Sequence, residues 1–256
     1  MNRKISILMA TYNSGKTLRN SLDSLLNQSF QDWECIISDG GSTDNTLAIL
    51  EEYHSRDNRF SYKSEPDKGI YDALNKALER ASGEWVYVLG SDDKVLYDGL
   101  SHLYEMVKPD AGVVYGDIYA VFADGSKKYV KAKAAKTMTY IMAPSHQGMI
   151  MRRNLMIKHQ GFNIAYRVRG DFDLTQRVYL TGVDFLYKSI PVAEVLQTGL
   201  SCQLSYKNHL ERYEIMKANH SVIFPYFMFW LVEIRGIIKR NIPWLYKILK
   251  LIGRNR

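Results

Sequence analysis

The sequence of 256 residues predicts an α/β fold in which a mostly parallel sheet carries helices on both faces. In its first part, short apolar segments rich in β-branched and aromatic residues alternate with segments of helical periodicity, as in repeated βα units. Two of the apolar segments end in acidic turns. Such turns meet at the carboxyl edge of a parallel sheet, where open α/β folds bind ligands. We therefore expect the functional site at that edge.

The first half, residues 1–95, predicts four strands and three helices. The clearest helix is the third, because Ile70, Leu74 and Ala77 recur at the helical spacing i, i+4, i+7 and Gly83 follows as a stop signal. The expected strands are Ile5–Ala10, Glu34–Ser38, Phe60–Ser64 and Trp85–Leu89, and the expected helices are Lys16–Asn27, Leu47–His54 and Ile70–Ala81.

The second half, residues 96–204, is less regular and predicts a mixed sheet. The dipeptide Asp124-Gly125 between two alternating segments indicates a hairpin. Helices are expected at Tyr97–Val107 and Asp171–Leu180, and strands at Gly112–Asp117, Ile118–Phe122, Lys128–Lys133, Gln147–Met151, Phe185–Ser189 and Val192–Gln197. Residues 205–256 are expected to form basic amphipathic helices.

The formal charge of +7 lies mostly in the tail, where seven basic residues stand against one acid from Glu233 onward. These bases are interleaved with Trp, Leu and Ile, which favours an anionic membrane surface over a nucleic acid. The longest apolar run, 222–232, has 11 residues, whereas a spanning helix needs about 20. The apolar segment after Arg3 and Lys4 is too short for a signal peptide. Cys35 and Cys202 lack metal-ligand spacing, so reduced thiols are expected.

The two acidic turns are the strongest candidates for a binding site. Asp39 precedes Gly40-Gly41, so its carboxylate could accept from a base N–H or a ribose hydroxyl, or could simply order an Asx-type turn. Asp92 and Asp93 are adjacent carboxylates, which repel each other unless a cation neutralises them; a type I turn is the alternative. Oxygen ligands at such an edge suit Mn²⁺ or Mg²⁺ beside a nucleotide diphosphate.

Further polar residues follow the first strand and precede the third helix. In Thr11-Tyr12-Asn13 the tyrosine could stack on a base, or the segment could be an ordinary strand-to-helix turn. Lys68 and Gly69 stand at a helix N-terminus, where backbone amides favour phosphate; Lys68 could equally be solvated.

Asp171 and Asp173 begin a helix, where acids also gain from the helix dipole. A functional interpretation makes one of them a general base for a hydroxyl, and helix geometry turns the two in different directions, so only one should serve. His146 could line the same pocket or be a satisfied loop histidine.

Together these motifs resemble the family 2 glycosyltransferases with the GT-A fold. The resemblance covers about residues 3 to 200 and rests on Ser6–Asn13, Ser38–Asp44, Glu65–Asn75, Gly90–Asp93 and Gly170–Leu174. It implies a UDP-sugar donor bound by a nucleotide-binding half (1–95), an acceptor half (96–204) and inversion at the sugar in one displacement.

The resemblance also implies roles for single residues. Asp171 matches the catalytic base, and the uracil is expected near Tyr12 and Asp39. Many relatives have an acid where this chain has Gly90, so we expect Asp93 to bind the metal and Asp92 to contact the ribose.

The implied acceptor is a glycan, often linked to a lipid pyrophosphate, in bacterial O-antigen or capsule synthesis. With its tail, the protein is expected to be cytoplasmic and peripheral on the inner face of the membrane. A sugar nucleotidyltransferase and a non-catalytic membrane-associated nucleotide-sugar binding module are the alternatives. The residues Thr11–Lys16 would form a poor phosphate loop for the former, and the retention of Asp92, Asp93 and Asp171 argues against the latter.

Overall fold

The structure is a computed structural model that describes residues 4–197 and 206–219, with isolated positions between 230 and 244. Its strands are β1 (Ile5–Thr11), β2 (Trp33–Asp39), β3 (Phe60–Ser64), β4 (Trp85–Val88), β5 (Lys94–Val95), β6 (Ala111–Val121), β7 (Lys127–Val130), β8 (Met149–Arg152) and β9 (Asp184–Leu196). Its helices are α1 (Leu18–Leu26), α2 (Thr46–Arg56), α3 (Ile70–Arg80), α4 (Gly99–Glu105), α5 (Arg153–Lys158), α6 (Gly170–Tyr179) and α7 (Tyr206–Asn219).

The first four strands form a parallel sheet in the order β3-β2-β1-β4, as the βα repeats predict. The register pairs Thr11 with Asp39 and Asp39 with Ser64, so these three residues lie side by side. On the other side of β1, Leu8 pairs with Val88. The chain therefore leaves all four strands at one edge, and the turns that carry the candidate residues gather there.

The second half continues the same sheet and makes it mixed. Strand β8 lies antiparallel between β4 and β6, pairing Met151 with Val86 on one side and with Val113 on the other. Strand β9 then runs parallel to β6, β5 pairs with β9, and β7 pairs with β6 as the outer strand of the predicted hairpin. The mixed second half expected from the sequence is present.

Several predicted boundaries were wrong in this half. The strands expected at Gly112–Asp117 and Ile118–Phe122 form one strand, β6. Those expected at Phe185–Ser189 and Val192–Gln197 form one strand, β9. The β6–β9 register shifts where Asp117 and Pro191 pair, because proline has no N–H to donate and is tolerated in a sheet at such an irregularity. Gln147 lies in a 3-10 turn, His146–Gly148, before β8 begins. The two-residue strand β5 has too little pattern to be predicted.

Alternate residues of the strands supply two cores, one on each face of the sheet. On one face, Ile5 and Ile7 pack with residues of α1, α2 and α4. On the other face, Leu8 packs with α3, α5 and α6. This alternation follows from the two-residue period of a strand, and it confirms the expected helices on both faces. The ligand edge is thereby held by packed helices on both sides.

Within the described residues, no helix combines the length and apolarity needed to cross a membrane. Helix α7 packs by Ile215 and Met216 against a third core that includes Phe172 of α6. The basic tail that the sequence analysis assigns to residues 205–256 falls mostly outside the described residues, and its helical, membrane-facing character stays a prediction.

We predict that Leu22→Ala strongly destabilises the fold. The Leu22 side chain is fully buried between α1 and the sheet, so its removal leaves a cavity that costs about 2–5 kcal/mol of unfolding free energy. Urea unfolding followed by circular dichroism measures the loss. The matched control is Leu180→Ala, where the leucine is 45% exposed and about 0.5 kcal/mol or less is expected. Similar losses in both variants would contradict the described packing of α1.

Candidate active site

A cavity of about 140 Å³ opens where the strands of the parallel half end. Its wall combines strand-end residues of the first half with polar residues of the second half. Its lining residues include Gly90, Asp92, His146 and Asp171. The structure therefore brings together three of the predicted site residues from distant parts of the chain.

Asp39 is nearly fully buried, and both of its carboxylate oxygens accept hydrogen bonds. Oδ1 accepts from the Thr11 hydroxyl at 3.0 Å and from the Ser42 hydroxyl at 2.5 Å. Oδ2 accepts from the backbone N–H groups of Gly41 (3.1 Å) and Ser42 (2.9 Å) and from the Ser64 hydroxyl at 2.7 Å. Burial alone would raise the pKa of Asp39, but these donors hold it below the ordinary value.

Five donors saturate a carboxylate, which has about four lone-pair sites. This geometry favours the turn-ordering role that the sequence left open for Asp39. A base N–H could reach the carboxylate only where a hydroxyl, such as that of Ser64, rotates away.

The turn after β1 shapes the neighbouring surface. Tyr12 is 65% exposed and its ring lies beside Gly40, which leaves one face of the ring open for stacking. Asn13 has a positive φ of 49°, and its side-chain oxygen accepts from the Thr43 N–H at 2.9 Å. Asn13 and Thr11 thus hold the two loops together, and Tyr12 is the residue of the predicted triplet that faces outward.

Lys68 and Gly69 lie at the start of α3, as predicted. Gly69 is the residue before the helix and has a φ of 119°. The backbone N–H of Lys68 donates to Asp72 at 2.9 Å, and that of Gly69 donates to Asp67 at 2.8 Å. The Lys68 side chain is exposed, with no ion pair to any of the described residues. Its ammonium is therefore available to an anion, whereas acidic side chains already occupy these two amides.

Asp92 and Asp93 occupy different environments. The Asp92 carboxylate lines the cavity, and no other described side chain donates a hydrogen bond to it. Asp93 is only 3% exposed; it accepts from the Gln147 amide at 2.6 Å and from the Leu196 N–H at 2.9 Å. Burial raises the pKa of both carboxyls, and the charge of Asp92 adds to the effect on Asp93.

The expectation that Asp93 binds the metal while Asp92 contacts the ribose stays a prediction, and the two side chains differ in orientation. Asp93 is turned into the protein, and Asp92 is the carboxylate that faces the cavity. Gly90 explains the arrangement, because a Cβ at that position would lie 2.5 Å from the Asp93 carboxylate oxygen Oδ2. The absence of a side chain at Gly90 lets Asp93 fold back over the turn.

Asp171 lies at the first turn of α6 and is held by two side chains. His146 Nδ1 lies 3.0 Å from Oδ2, and the Tyr71 hydroxyl donates to Oδ1 at 3.3 Å. A Cβ at Gly170 would lie within 2.9 Å of the Tyr71 ring, so this glycine allows the helix to approach the tyrosine. His146 thus lines the cavity in contact with Asp171, and its role in a reaction stays a prediction.

The His146–Asp171 pair favours the ionised form of each partner. Burial would raise the pKa of Asp171, but the hydrogen bond and positive charge of His146 bring it below its ordinary value. Burial would lower the pKa of His146, but Asp171 raises it above its ordinary value, with smaller contributions from Asp93 and Asp92. The carboxylate is therefore ionised and oriented at neutral pH.

Asp173 faces away from this pair, as helix geometry predicts. It is 3% exposed and accepts from Arg177 of the next helical turn, with 2.7 Å between Asp173 Oδ2 and Arg177 Nη2. The general-base role that the sequence left open for Asp173 stays a prediction; its carboxylate is buried and paired with a cation.

Sequence reasoning missed the supporting residues of the site. Gln147 gives its amide N–H to Asp93 and accepts from the Tyr87 hydroxyl through its backbone oxygen at 2.7 Å. Ser14 and Ser91 lie 2.9 Å apart and join the turns after β1 and β4. In the sequence, only the position of these residues next to the motifs could have indicated their supporting roles. The cavity also has an apolar lining, which the sequence does not distinguish from ordinary core residues. This lining consists of Leu74, Met149, Met151, Met156, Phe162 and Leu174.

The donor set at this edge suits a hard cation only in part. Among the described residues, no cluster of three or more His, Cys, Asp or Glu side chains could hold a metal ion. The single open carboxylate of Asp92 fits a Mg²⁺ or Mn²⁺ ion that takes most of its oxygen ligands from substrate phosphates and water.

Known proteins are similar to this chain over most of the region that contains the candidate site. The sequence model for the family described as Glycosyl transferase family 2 matches residues 6–171. A PGL/p-HBAD biosynthesis glycosyltransferase of Mycobacterium tuberculosis is 30% identical over 178 residues, which are 68% of this chain and 69% of that protein. The putative teichuronic acid biosynthesis glycosyltransferase TuaG of Bacillus subtilis is 35% identical over 138 residues, 53% of this chain and 55% of TuaG.

Solved structures share the fold at low sequence identity. The 1–349 fragment of TarS from S. aureus, in complex with UDP-GlcNAc, superposes with a TM-score of 0.67 at 23% identity over 84% of this chain and 65% of that one. The mannosyltransferase PcManGT from Pyrobaculum calidifontis, in complex with GDP-Man and Mn²⁺, gives 0.68 at 16% identity, covering 96% and 73%. These similarities confirm the expected GT-A fold.

We predict that Asp171→Asn lowers the pKa of the His146 imidazole. The substitution removes the carboxylate charge that favours the imidazolium and leaves burial, which disfavours it. An NMR titration of the imidazole resonances in both proteins measures the change. His159 is the internal control: burial, Arg177 and Lys158 lower its pKa, and Asp171 takes no part. An unchanged His146 titration would mean that the pair does not form in solution.

The His146–Asp171 pair also makes the free energy of unfolding depend on pH. Because the folded pKa of His146 is raised, its contribution is complete below the unfolded value of about 6.5 and is lost as the pH rises through the folded value. Because the folded pKa of Asp171 is lowered, its contribution is complete above the unfolded value of about 3.9 and is lost as the pH falls through the folded value. The difference in unfolding free energy between wild type and Asp171→Asn should therefore be largest between these two pH values.

Proposed function

The chain belongs to glycosyl transferase family 2, and on that premise we propose that it is an inverting, metal-dependent enzyme that transfers a sugar from a UDP-sugar to a glycan hydroxyl. The observation that carries the proposal is the shared cavity: Asp92, which follows the strand end, and the His146–Asp171 pair line the same space. A donor diphosphate at the first and an acceptor hydroxyl at the second would meet there.

Asp171 is the general base of the proposed reaction. Its ionised carboxylate takes the proton of the acceptor hydroxyl as the oxygen forms its bond to the anomeric carbon; the bond from that carbon to the donor phosphate breaks, and UDP leaves with the electron pair. His146 and Tyr71 orient the carboxylate, which places its basicity where the hydroxyl arrives. A single displacement of this kind inverts the anomeric centre.

The donor nucleotide fits the surface between the first two turns. We assign uracil stacking to Tyr12, because its ring is exposed beside Gly40. Asp39 orders this pocket through its five hydrogen bonds, and a uracil N–H could replace the Ser64 hydroxyl among them. The free ammonium of Lys68 is assigned to the phosphates.

Asp92 is assigned to the metal, and Asp93 supports the turn that presents it. Asp92 faces the cavity with an open carboxylate, whereas the oxygens of Asp93 accept from Gln147 and Leu196. A bound Mn²⁺ or Mg²⁺ would neutralise the charge of the diphosphate leaving group. The structure of PcManGT contains Mn²⁺, which supports a divalent ion in this fold.

The relatives and the tail support a proposal for the acceptor and the location. The matched relatives include glycosyltransferases of PGL/p-HBAD and teichuronic acid biosynthesis, which supports a role in bacterial surface glycans such as O-antigen or capsule units on a lipid diphosphate. Basic residues near an anionic leaflet contribute about 1 kcal/mol each, and Trp230 and Trp244 are exposed. We therefore place the protein at the inner face of the membrane.

We predict that Asp171→Asn lowers the transfer rate at least about a hundredfold while UDP affinity stays near that of wild type. The amide keeps the size of the side chain but cannot accept the proton, and the group it serves belongs to the acceptor. Calorimetric UDP titration beside initial rates of UDP release tests this. Release of pyrophosphate instead of UDP would indicate the nucleotidyltransferase alternative.

The control is Asp173→Asn, two residues away on the same helix. Asp173 is buried against Arg177, so the variant should lose about 1–3 kcal/mol of stability and keep its transfer rate per folded molecule. If Asp173→Asn were inactive and Asp171→Asn active, the base assignment would be wrong.

We predict that Asp92→Asn, rather than Asp93→Asn, removes most of the Mn²⁺-stimulated activity. Loss of the open carboxylate should weaken Mn²⁺ binding in the presence of UDP at least about tenfold, measured by calorimetry. Asp93→Asn should keep this affinity within a few-fold and lose about 1–3 kcal/mol of stability, because the new amide NH₂ would face one of the two donors, Gln147 or Leu196. Full activity of the wild type in EDTA would refute the metal assignment.

A further inference from the structure

The segment from β7 to the loop before His146 is strongly basic. Residues 126–144 contain five lysines and no acid, although the chain as a whole carries 34 basic and 27 acidic residues. The five are Lys127, Lys128, Lys131, Lys133 and Lys136. Lys127 forms an ion pair with Glu194, and no carboxylate among the described residues pairs with the other four. The segment therefore presents uncompensated positive charge.

Two of these lysines line a second cavity, of about 230 Å³. Lys131 and Lys133 form its basic side. The strand pair β6–β7 contributes Gly116, Ile118 and Val130 to its lining, and the following loop contributes Met142 and Ser145. Lys128 and Lys136 do not line it. The cavity is thus lined by two lysines together with apolar residues.

The second cavity and the cavity of the candidate active site are lined by neighbouring residues of the chain. Ser145 lines the second cavity, and the next residue, His146, lines the first and contacts Asp171. Consecutive Cα atoms lie about 3.8 Å apart. A ligand in the second cavity would therefore lie close to the point where the acceptor hydroxyl meets Asp171.

A buried acid holds the lysine segment in place. The backbone N–H of Ala132, between the two lysines, donates to Asp117 Oδ1 at 2.7 Å. Asp117 is 1% exposed and also accepts from the hydroxyls of Tyr129, Tyr187 and Ser189. Its negative charge is thereby satisfied inside the protein, and the segment that carries Lys131 and Lys133 is anchored at its centre.

The ammonium of Lys133 lacks a neutralising partner. Desolvation lowers its pKa, and the positive charge of Arg212 on α7 lowers it further. A bound anion would oppose both effects and would gain charge-assisted hydrogen bonds from the two lysines.

We propose that Lys131 and Lys133 bind the diphosphate group that links the acceptor sugar to its lipid. This inference rests on the proposed function and deepens it. A diphosphate attached to the acceptor sugar lies one sugar ring from the hydroxyl that reacts, and the second cavity lies next to the residues assigned to that hydroxyl. The site would select diphosphate-linked acceptors and orient them toward Asp171.

The test measures binding of inorganic pyrophosphate to the full chain by calorimetry. Saturating UDP occupies the donor site and EDTA removes metal, so that pyrophosphate reports on the second cavity. Lys131→Gln/Lys133→Gln should weaken this binding at least about tenfold, since each lysine provides charge-assisted hydrogen bonds. The UDP affinity of the variant should not change.

The matched control is Lys128→Gln/Lys136→Gln, which removes the same charge from the same segment outside the cavity. It should change pyrophosphate affinity by less than about twofold. Equal loss in both variants would show a diffuse surface potential and overturn the site, as would no pyrophosphate binding to the wild type. Phosphatidylglycerol vesicles form a further arm: if the cavity variant lost vesicle binding but kept pyrophosphate binding, the lysines would serve the membrane surface.

The proposed function can fail separately from this site. UDP binding and UDP-sugar turnover test the donor half and do not involve Lys131 or Lys133. If wild type binds UDP and turns over UDP-sugar while both double variants bind pyrophosphate as wild type does, the acceptor site is overturned and the glycosyltransferase proposal stands.

Discussion

The central constraint on this structure is the gathering of four carboxylates at one edge of the sheet. Each of these carboxylates needs a different interaction to be stabilised at that edge; the four belong to Asp39, Asp92, Asp93 and Asp171. Hydroxyls and backbone amides saturate Asp39, an amide and a backbone N–H satisfy Asp93, and an imidazole pairs with Asp171. Asp92 alone lacks such a partner among the described side chains, and its raised pKa reflects a charge that burial disfavours. The surrounding turns are arranged to leave that one carboxylate for a ligand.

Much of the first half could be predicted, because its signals are local. The helical spacing of Ile70, Leu74 and Ala77 reflects burial on one face of α3, and the strand-end acids follow from the chain direction in a parallel sheet. The direction of the Asp173 side chain relative to Asp171 could also be predicted, since two residues of one helix that are two positions apart cannot share a face. These inferences need no knowledge of which distant segments meet.

The features that escaped prediction depend on long-range packing. No local pattern says that β8 lies antiparallel between β4 and β6, or that Gln147 reaches Asp93 across 54 positions. The different environments of Asp92 and Asp93 could not be predicted from the sequence, because adjacent residues of a turn differ only in which one the rest of the fold covers. Lys131 and Lys133 likewise look like solvated charges until β6 and the loop before His146 enclose the space beside them.

The bond from the Leu196 N–H to Asp93 joins residues that are 103 positions apart. During synthesis on the ribosome, the parallel half emerges long before strand β9, because the chain is made from its N-terminus. Domains begin to fold from the N-terminal end as the chain grows. A nascent chain that stops before residue 196 would bury Asp93 without one of its two donors. Completion of the acidic turn is therefore a late step, and a truncated chain would carry the parallel half of the sheet without a finished acidic turn.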